Sequence, residues 1–270
     1  MKVITPDNIS DFSWWQLWAH RELFLFFAWK DIRLRYEHLL IGACWAIAQP
    51  LATTIVLSNV LHKVTDIFSQ NTPYPVFAFI GLLFWTYFAS SLNRVSTSLT
   101  ANRALITKAS FPKLILPLST LVVGLVDFIF IFIALLLLMT YYRIFPTILG
   151  FILLAPSLLI TMITSLSLGL FFSFLQVKYR DVRQLLPFIT SLLFFLTPVI
   201  YSIRILPPKT IAWISYLNPL AGVIETMRAA LLGQMIYWQD LLIAAGSALL
   251  LLLLSLLYFR KSEKELADIL

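Results

Sequence analysis

A chain of 270 residues with 60% hydrophobic side chains, only 12% charged ones and 22 Phe cannot be kept in solution by its polar surface. The net charge of +7 invites a nucleic-acid partner, but the positions of the basic residues assign the surplus to membrane topology. The single cysteine, Cys44, excludes an intramolecular disulfide, and His20, His38 and His62 lack the spacing of a metal site.

Met1–Asp11 holds Asp7, Asp11 and Pro6 where a cleavable leader would have a basic stretch running into an apolar core, so no leader is expected. The stretch Phe12–Tyr36 is rich in Trp and Phe but broken by Arg21, Glu22, Lys30, Asp31, Arg33 and Arg35. Aromatic and basic residues so mixed predict an amphipathic helix lying in the membrane interface. It serves either as an anchor or as a grip for a cytoplasmic partner. Residues 1–38 thus form a cytoplasmic and interfacial segment, and 39–270 one transmembrane domain.

Six runs are each long enough to cross a bilayer: Leu39–Leu61, Pro75–Asn93, Leu114–Tyr142, Ile144–Val177, Gln184–Ile203 and Leu241–Phe259. A helix rises about 1.5 Å per residue, so roughly 20 apolar residues cover a hydrocarbon core of about 30 Å. The expected fold is an all-α polytopic membrane protein with six transmembrane helices. Between the second and third runs, Arg94–Lys113 is basic, with Val95, Leu99 and Ile106 at helical spacing and Phe111-Pro112 ending the pattern. That predicts a short helix standing proud of the membrane. The segment 204–240 contains an uncharged stretch broken by Asn218-Pro219, too short for a span. It predicts two short external re-entrant helices hinged at Asn218-Pro219, ahead of the last span. Counting it as a seventh span would place Arg260, Lys261 and Lys264 outside. With six spans, only Lys63, Arg143, Arg204, Lys209 and Arg228 lie outside, and the remaining 15 of 20 Lys/Arg lie inside with both termini.

Asp127 is the one formal charge within the six runs. A charge at that depth costs at least about 2.5 kcal/mol, so it is protonated, paired or facing water. Proton coupling and an interhelical contact are its two readings, and the lack of an intramembrane basic partner in the sequence favours contact. Gln49-Pro50, Pro187 and Pro198 predict bent helices. Gln49 either donates to a freed carbonyl or faces a conduit. Arg180 and Arg183 sit in the tight turn Tyr179–Arg183, which is a salt-linked turn or a cytoplasmic entrance contacting anionic lipid or a pyrophosphate. No Gly-x-x-x-x-Gly-Lys-Ser/Thr run occurs, so if ATP drives the protein the ATPase is another polypeptide.

Four segments in order resemble the polysaccharide-exporting branch of the type 2 ABC transporter permeases, the family that exports O-antigen, capsule and teichoic acid chains. They are Trp29–Tyr36 with Leu40-Ile41-Gly42, Trp45 and Gln49-Pro50-Leu51; Asn102–Lys108 running into Phe111-Pro112-Lys113 and Leu116-Pro117-Leu118; Tyr179–Arg183 with Pro187 and Thr197–Tyr201; and Leu217–Leu220 with Glu225, Arg228 and Leu232-Gly233. The resemblance covers nearly the whole chain. It implies a homodimeric permease in the bacterial plasma membrane with two copies of a cognate ATPase, which hold the ATP and Mg, and no cofactor in this chain. It implies that Arg94–Lys113 is the coupling helix, with Arg94, Asn102, Arg103, Lys108 and Lys113 as the docking residues. It implies a lipid-linked glycan or polyol-phosphate chain as substrate. Under it Trp45, Gln49, Tyr201, Trp213 and Tyr216 become candidates for the conduit and its outer gate, although Trp and Tyr also gather at interfaces merely because they are amphipathic. Rival readings are a drug or lipid exporter of the same superfamily and a membrane-embedded enzyme of lipid-linked glycan assembly. The enzyme would need clustered polar groups, and the 13 acids here are scattered.

Overall fold

All regular structure among the described residues is helical. The computed structural model describes residues 18–37, 39–60, 72–108, 111–179 and 181–269, without the side chains of 39–43, 212, 215–216 and 263–269. In chain order the helices are α1 (Arg21–Arg35), α2 (Leu39–Val60), α3 (Tyr74–Ala101), α4 (Arg103–Lys108), α5 (Ile115–Tyr141) and α6 (Ile148–Lys178). They continue with α7 (Val182–Leu196), a 3-10 turn at Ile203–Ile205, α8 (Pro208–Leu217), α9 (Pro219–Leu232) and α10 (Trp238–Ile269).

A helix that is apolar on every side belongs in the middle of a bundle. α3 is that helix: Val76, Phe79, Ile80, Leu83, Phe84, Leu92 and Val95 are all fully buried. α5 and α6 pack along it, α2, α7 and α9 complete the surround, and α10 covers α6. The long α6 carries many hydroxyls into this core, and they bond back to their own helix, as Thr161 does to the Ser157 carbonyl (2.8 Å) and Ser165 to that of Thr161 (2.8 Å). Its first turn is tied to the end of α9. Thr147 accepts from the Gly150 N–H at 3.1 Å and donates to the Ala230 carbonyl at 2.5 Å.

Among the described residues four helices are long and apolar enough to cross a membrane: α3, α5, α6 and Trp238–Ser262 of α10. Cys44–Val60 in α2 and all of α7 are apolar but shorter. Two boundaries differ from the sequence-based expectation. α3 does not stop at Asn93 but continues to Ala101, so Arg94 belongs to the long core helix and the proud helix is reduced to α4, Arg103–Lys108. The fifth run does not stay helical to Ile203. A residue preceding proline is pushed towards extended backbone; Thr197 takes ψ 136°, and α7 ends at Leu196. Of the predicted interfacial segment, residues 12–17 lie outside the described residues, and α1 packs against α5.

Candidate functional site

Two buried charge networks lock the bundle. The first centres on Asp127, in the middle of α5 and 3% exposed. α1 ends beside it and delivers Arg35 and Tyr36. The Arg35 fork donates from Nε to Oδ1 (3.1 Å) and from Nη2 to Oδ2 (2.8 Å), and the Tyr36 hydroxyl donates to Oδ1 at 2.5 Å. Burial, and then the bond to Asp127, push the Tyr36 phenol up to about 12, so it remains a donor throughout the physiological range. Arg94 of α3 completes the group more loosely, with Nη1 3.5 Å from Oδ2 and Nη2 donating to the Ser90 hydroxyl at 2.9 Å. The helices approach closely here because residue 124 has no side chain. A Cβ on Gly124 would sit 2.7 Å from the Ser91 Oγ and 2.9 Å from the Arg94 Nη2. Asp127 is therefore an interhelical contact, and its basic partners come from outside the apolar runs.

The second network surrounds Arg228 of α9, which is only 2% exposed. The break at Pro198 leaves the carbonyls of 198–201 without helical donors, and buried carbonyls need partners. Arg228 supplies them: Nη1 to the carbonyls of Pro198 (2.8 Å) and Tyr201 (3.0 Å), Nη2 to that of Val199 (2.5 Å), and Nε to that of Phe77 (3.2 Å). Tyr74 donates to the Ile200 carbonyl at 3.0 Å and Asn218 Nδ2 to the Thr197 hydroxyl at 2.8 Å. The guanidinium also stacks on the Phe77 ring, 3.6 Å from its centroid, and pairs with Glu225, three residues back, at 3.3 Å. Asn218 caps α9 by accepting from the Leu220 N–H at 3.1 Å. Nearby, Arg204 pairs with Asp240 and lies 3.9 Å over the Tyr237 ring. These two and Glu225, Thr226 and Gln234 border a cavity of about 350 Å³.

The structure separates the candidate coupling residues. Arg94 is committed to Asp127 inside the bundle, whereas Arg103 and Lys108 are exposed on α4, a six-residue helix with no buried residue. Asn102 is the junction: its carbonyl accepts from Leu105 (3.0 Å) and Ile106 (3.1 Å), and its amide donates to the Ser98 carbonyl (2.8 Å). Lys113 is half-buried just before α5. Among the conduit candidates, Trp45 is 70% exposed and Gln49 is exposed one helical turn along the same face of α2. Trp213 is exposed on α8, while the Tyr201 hydroxyl turns back to the Phe195 carbonyl at 3.3 Å. The side chain of Tyr216 and all of Arg180 lie outside the described residues; Arg183 is exposed.

Sequence reasoning missed the roles of Arg35, Tyr36 and Arg228. For Arg228 a signal existed: Glu225 and Arg228, at i and i+3, are the only charges in Pro219–Leu232. Such a pair in an otherwise apolar helix faces inward. For Arg35 and Asp127, 92 positions apart, no local pattern exists.

A family model described as ABC-2 type transporter matches residues 22–232. Curated relatives match along most of their length. An "O-antigen export system permease protein RfbA" of Klebsiella pneumoniae is 27% identical over 242 residues, covering 89% of this chain and 92% of the relative. A protein of the same name from Myxococcus xanthus is 28% identical over 79% of this chain and 82% of its own. The "Polysialic acid transport protein KpsM" of Escherichia coli is 22% identical over 75% of this chain and 78% of its own.

Proposed function

We infer that this chain, which belongs to the ABC-2 type transporter family, is the permease subunit of an ATP-driven exporter of polysaccharide. The observation that carries the reading is the near end-to-end match to relatives named as O-antigen export permeases, at 89% of this chain and 92% of the relative. The chain is a multi-pass protein of the bacterial inner membrane.

Within that reading the finer assignments are ours. α2 and α7, added to the four long helices, make six crossings with both termini in the cytoplasm, as the division of Lys and Arg supports. α1 lies in the interface, and α8 and α9 re-enter from outside. Their non-helical junction with α7 is tolerable at membrane depth because Arg228 and Tyr74 satisfy its carbonyls. α4, exposed and basic, is the element that docks on a separate ATPase, two copies of which serve a homodimer of this chain and hold the ATP and Mg. The exported chain is a lipid-linked glycan or polyol-phosphate polymer. It passes along the face of α2 that carries Trp45 and Gln49, since an exposed Gln in hydrocarbon is costly and is better spent against water or substrate.

Deleting the gene in its own host tests the function. Surface glycan should disappear while lipid-linked glycan accumulates inside, and both should recover on complementation. Unchanged surface glycan, with altered drug sensitivity or lipid distribution, would favour the rival exporter reading.

A further inference from the structure

A cavity of about 500 Å³ opens between α1, α3 and α5, at the end of the fold that carries α4. Its wall includes Lys30 and Arg35 from α1 and Arg94 from α3, against a single lining carboxylate, Asp31. Asp31 sits 3.8 Å from Lys30, and burial raises its carboxyl against the pull of Lys30 and Arg94. Asp127 lies behind the wall and is already occupied by the Arg35 fork and the Tyr36 hydroxyl.

Arg94 is consequently short of an anion. Its contact to Asp127 is the long one, 3.5 Å, and its side chain keeps 20% of its surface open in the cavity wall. A guanidinium with open surface and one long ion pair keeps donor capacity for a further anion. The oxygens of a phosphate, which accept from guanidinium in the same forked geometry as a carboxylate, fit that deficit. The surroundings indicate what carries the phosphate. Leu34 lines the cavity and is 63% exposed, and Leu25, Phe26 and Trp29 continue an exposed apolar surface along α1. A charged pocket beside an uncovered apolar helix in a membrane protein suits a ligand with an anionic head and a hydrocarbon tail.

We propose that the cavity between α1, α3 and α5 binds the phosphate head of a membrane lipid, with Lys30 and Arg94 as its main contacts. The site stands apart from the export reading, because a resident anionic phospholipid and the carrier of an exported chain present the same phosphate oxygens.

The full-length chain in phosphatidylcholine nanodiscs would be titrated with radiolabelled farnesyl pyrophosphate, with inorganic pyrophosphate and short-chain phosphatidylglycerol as competitors. Saturable binding is expected. Lys30→Gln should weaken it roughly tenfold, the scale of one charge-assisted hydrogen bond. Asp31→Asn should tighten it, and Lys261→Gln, at an exposed position of α10, should leave it unchanged. Size-exclusion profiles would confirm that each variant is folded. Competition by pyrophosphate alone would identify a carrier lipid, and equal competition by phosphatidylglycerol a resident phospholipid; both support the site. Absence of saturable binding, or equal affinity in all three variants, would overturn it. Neither result depends on whether glycan reaches the cell surface.

Discussion

Arg228 has the most demanding side chain in the molecule to bury, and its surroundings answer that demand bond by bond. Every guanidinium nitrogen has an acceptor, and a Phe ring lies against its face. Residue 81 must stay small for the same reason, because a Cβ on Gly81 would lie 2.6 Å from the Val199 oxygen and 2.8 Å from Arg228 Nη2. Arg228→Met should therefore do more than remove a charge. It strands the carbonyls of Pro198, Val199 and Tyr201 and takes the cationic partner from Glu225, a loss of about 3–5 kcal/mol by comparison with other broken buried pairs. Thermal unfolding in detergent should show a large drop for Arg228→Met, and a wild-type melting curve would contradict the assignment. Asp127→Asn should be milder, roughly 1–3 kcal/mol, because Arg35 is partly exposed and keeps some hydration. Its distinctive consequence is at α1, where protease accessibility should rise as Arg35 and Tyr36 lose their anchor. If α1 stays equally protected, the network does not hold that helix.

Among the elements, what the sequence made legible and what it hid have different physical origins. The hinge at Asn218-Pro219 was readable because both of its causes are local: Asn caps, and Pro starts a helix. The edge of α3 was not, because hydropathy reports where hydrocarbon ends and not where the helix does. Past Asn93 the helix continues through Arg94 and several Ser and Thr, held by buried Val95 and Leu99. The end of α7 was hidden by the apolarity of Thr197–Ile200, which reads as span until the Pro198 break is given weight. α4 survives as the docking candidate only through Arg103 and Lys108, since Arg94 is engaged elsewhere. Arg103→Glu with Lys108→Glu should weaken co-purification with the cognate ATPase in part, and most at low salt, because exposed pairs contribute about 0.2–1 kcal/mol each. Normal pairing and export in the double variant would remove α4 from the account.

For the whole molecule, the proposed topology of six crossings with both termini in the cytoplasm is open to a direct test. Reporter fusions after Arg143 and after Leu270 should read outside and inside; an external C-terminus would require an odd number of crossings. Membership of the family was legible from motif order, whereas the tertiary ties were not, because Asp127 and Arg228 take their partners from distant segments. The central claim is that this chain is the path and a separate ATPase the engine. It is tested most directly by ATP-dependent uptake of radiolabelled lipid-linked glycan into inverted vesicles. Uptake is predicted with chain and ATPase together and with neither alone. Full uptake by vesicles holding only the ATPase, or none by vesicles in which both proteins are present and ATP is hydrolysed, would contradict it.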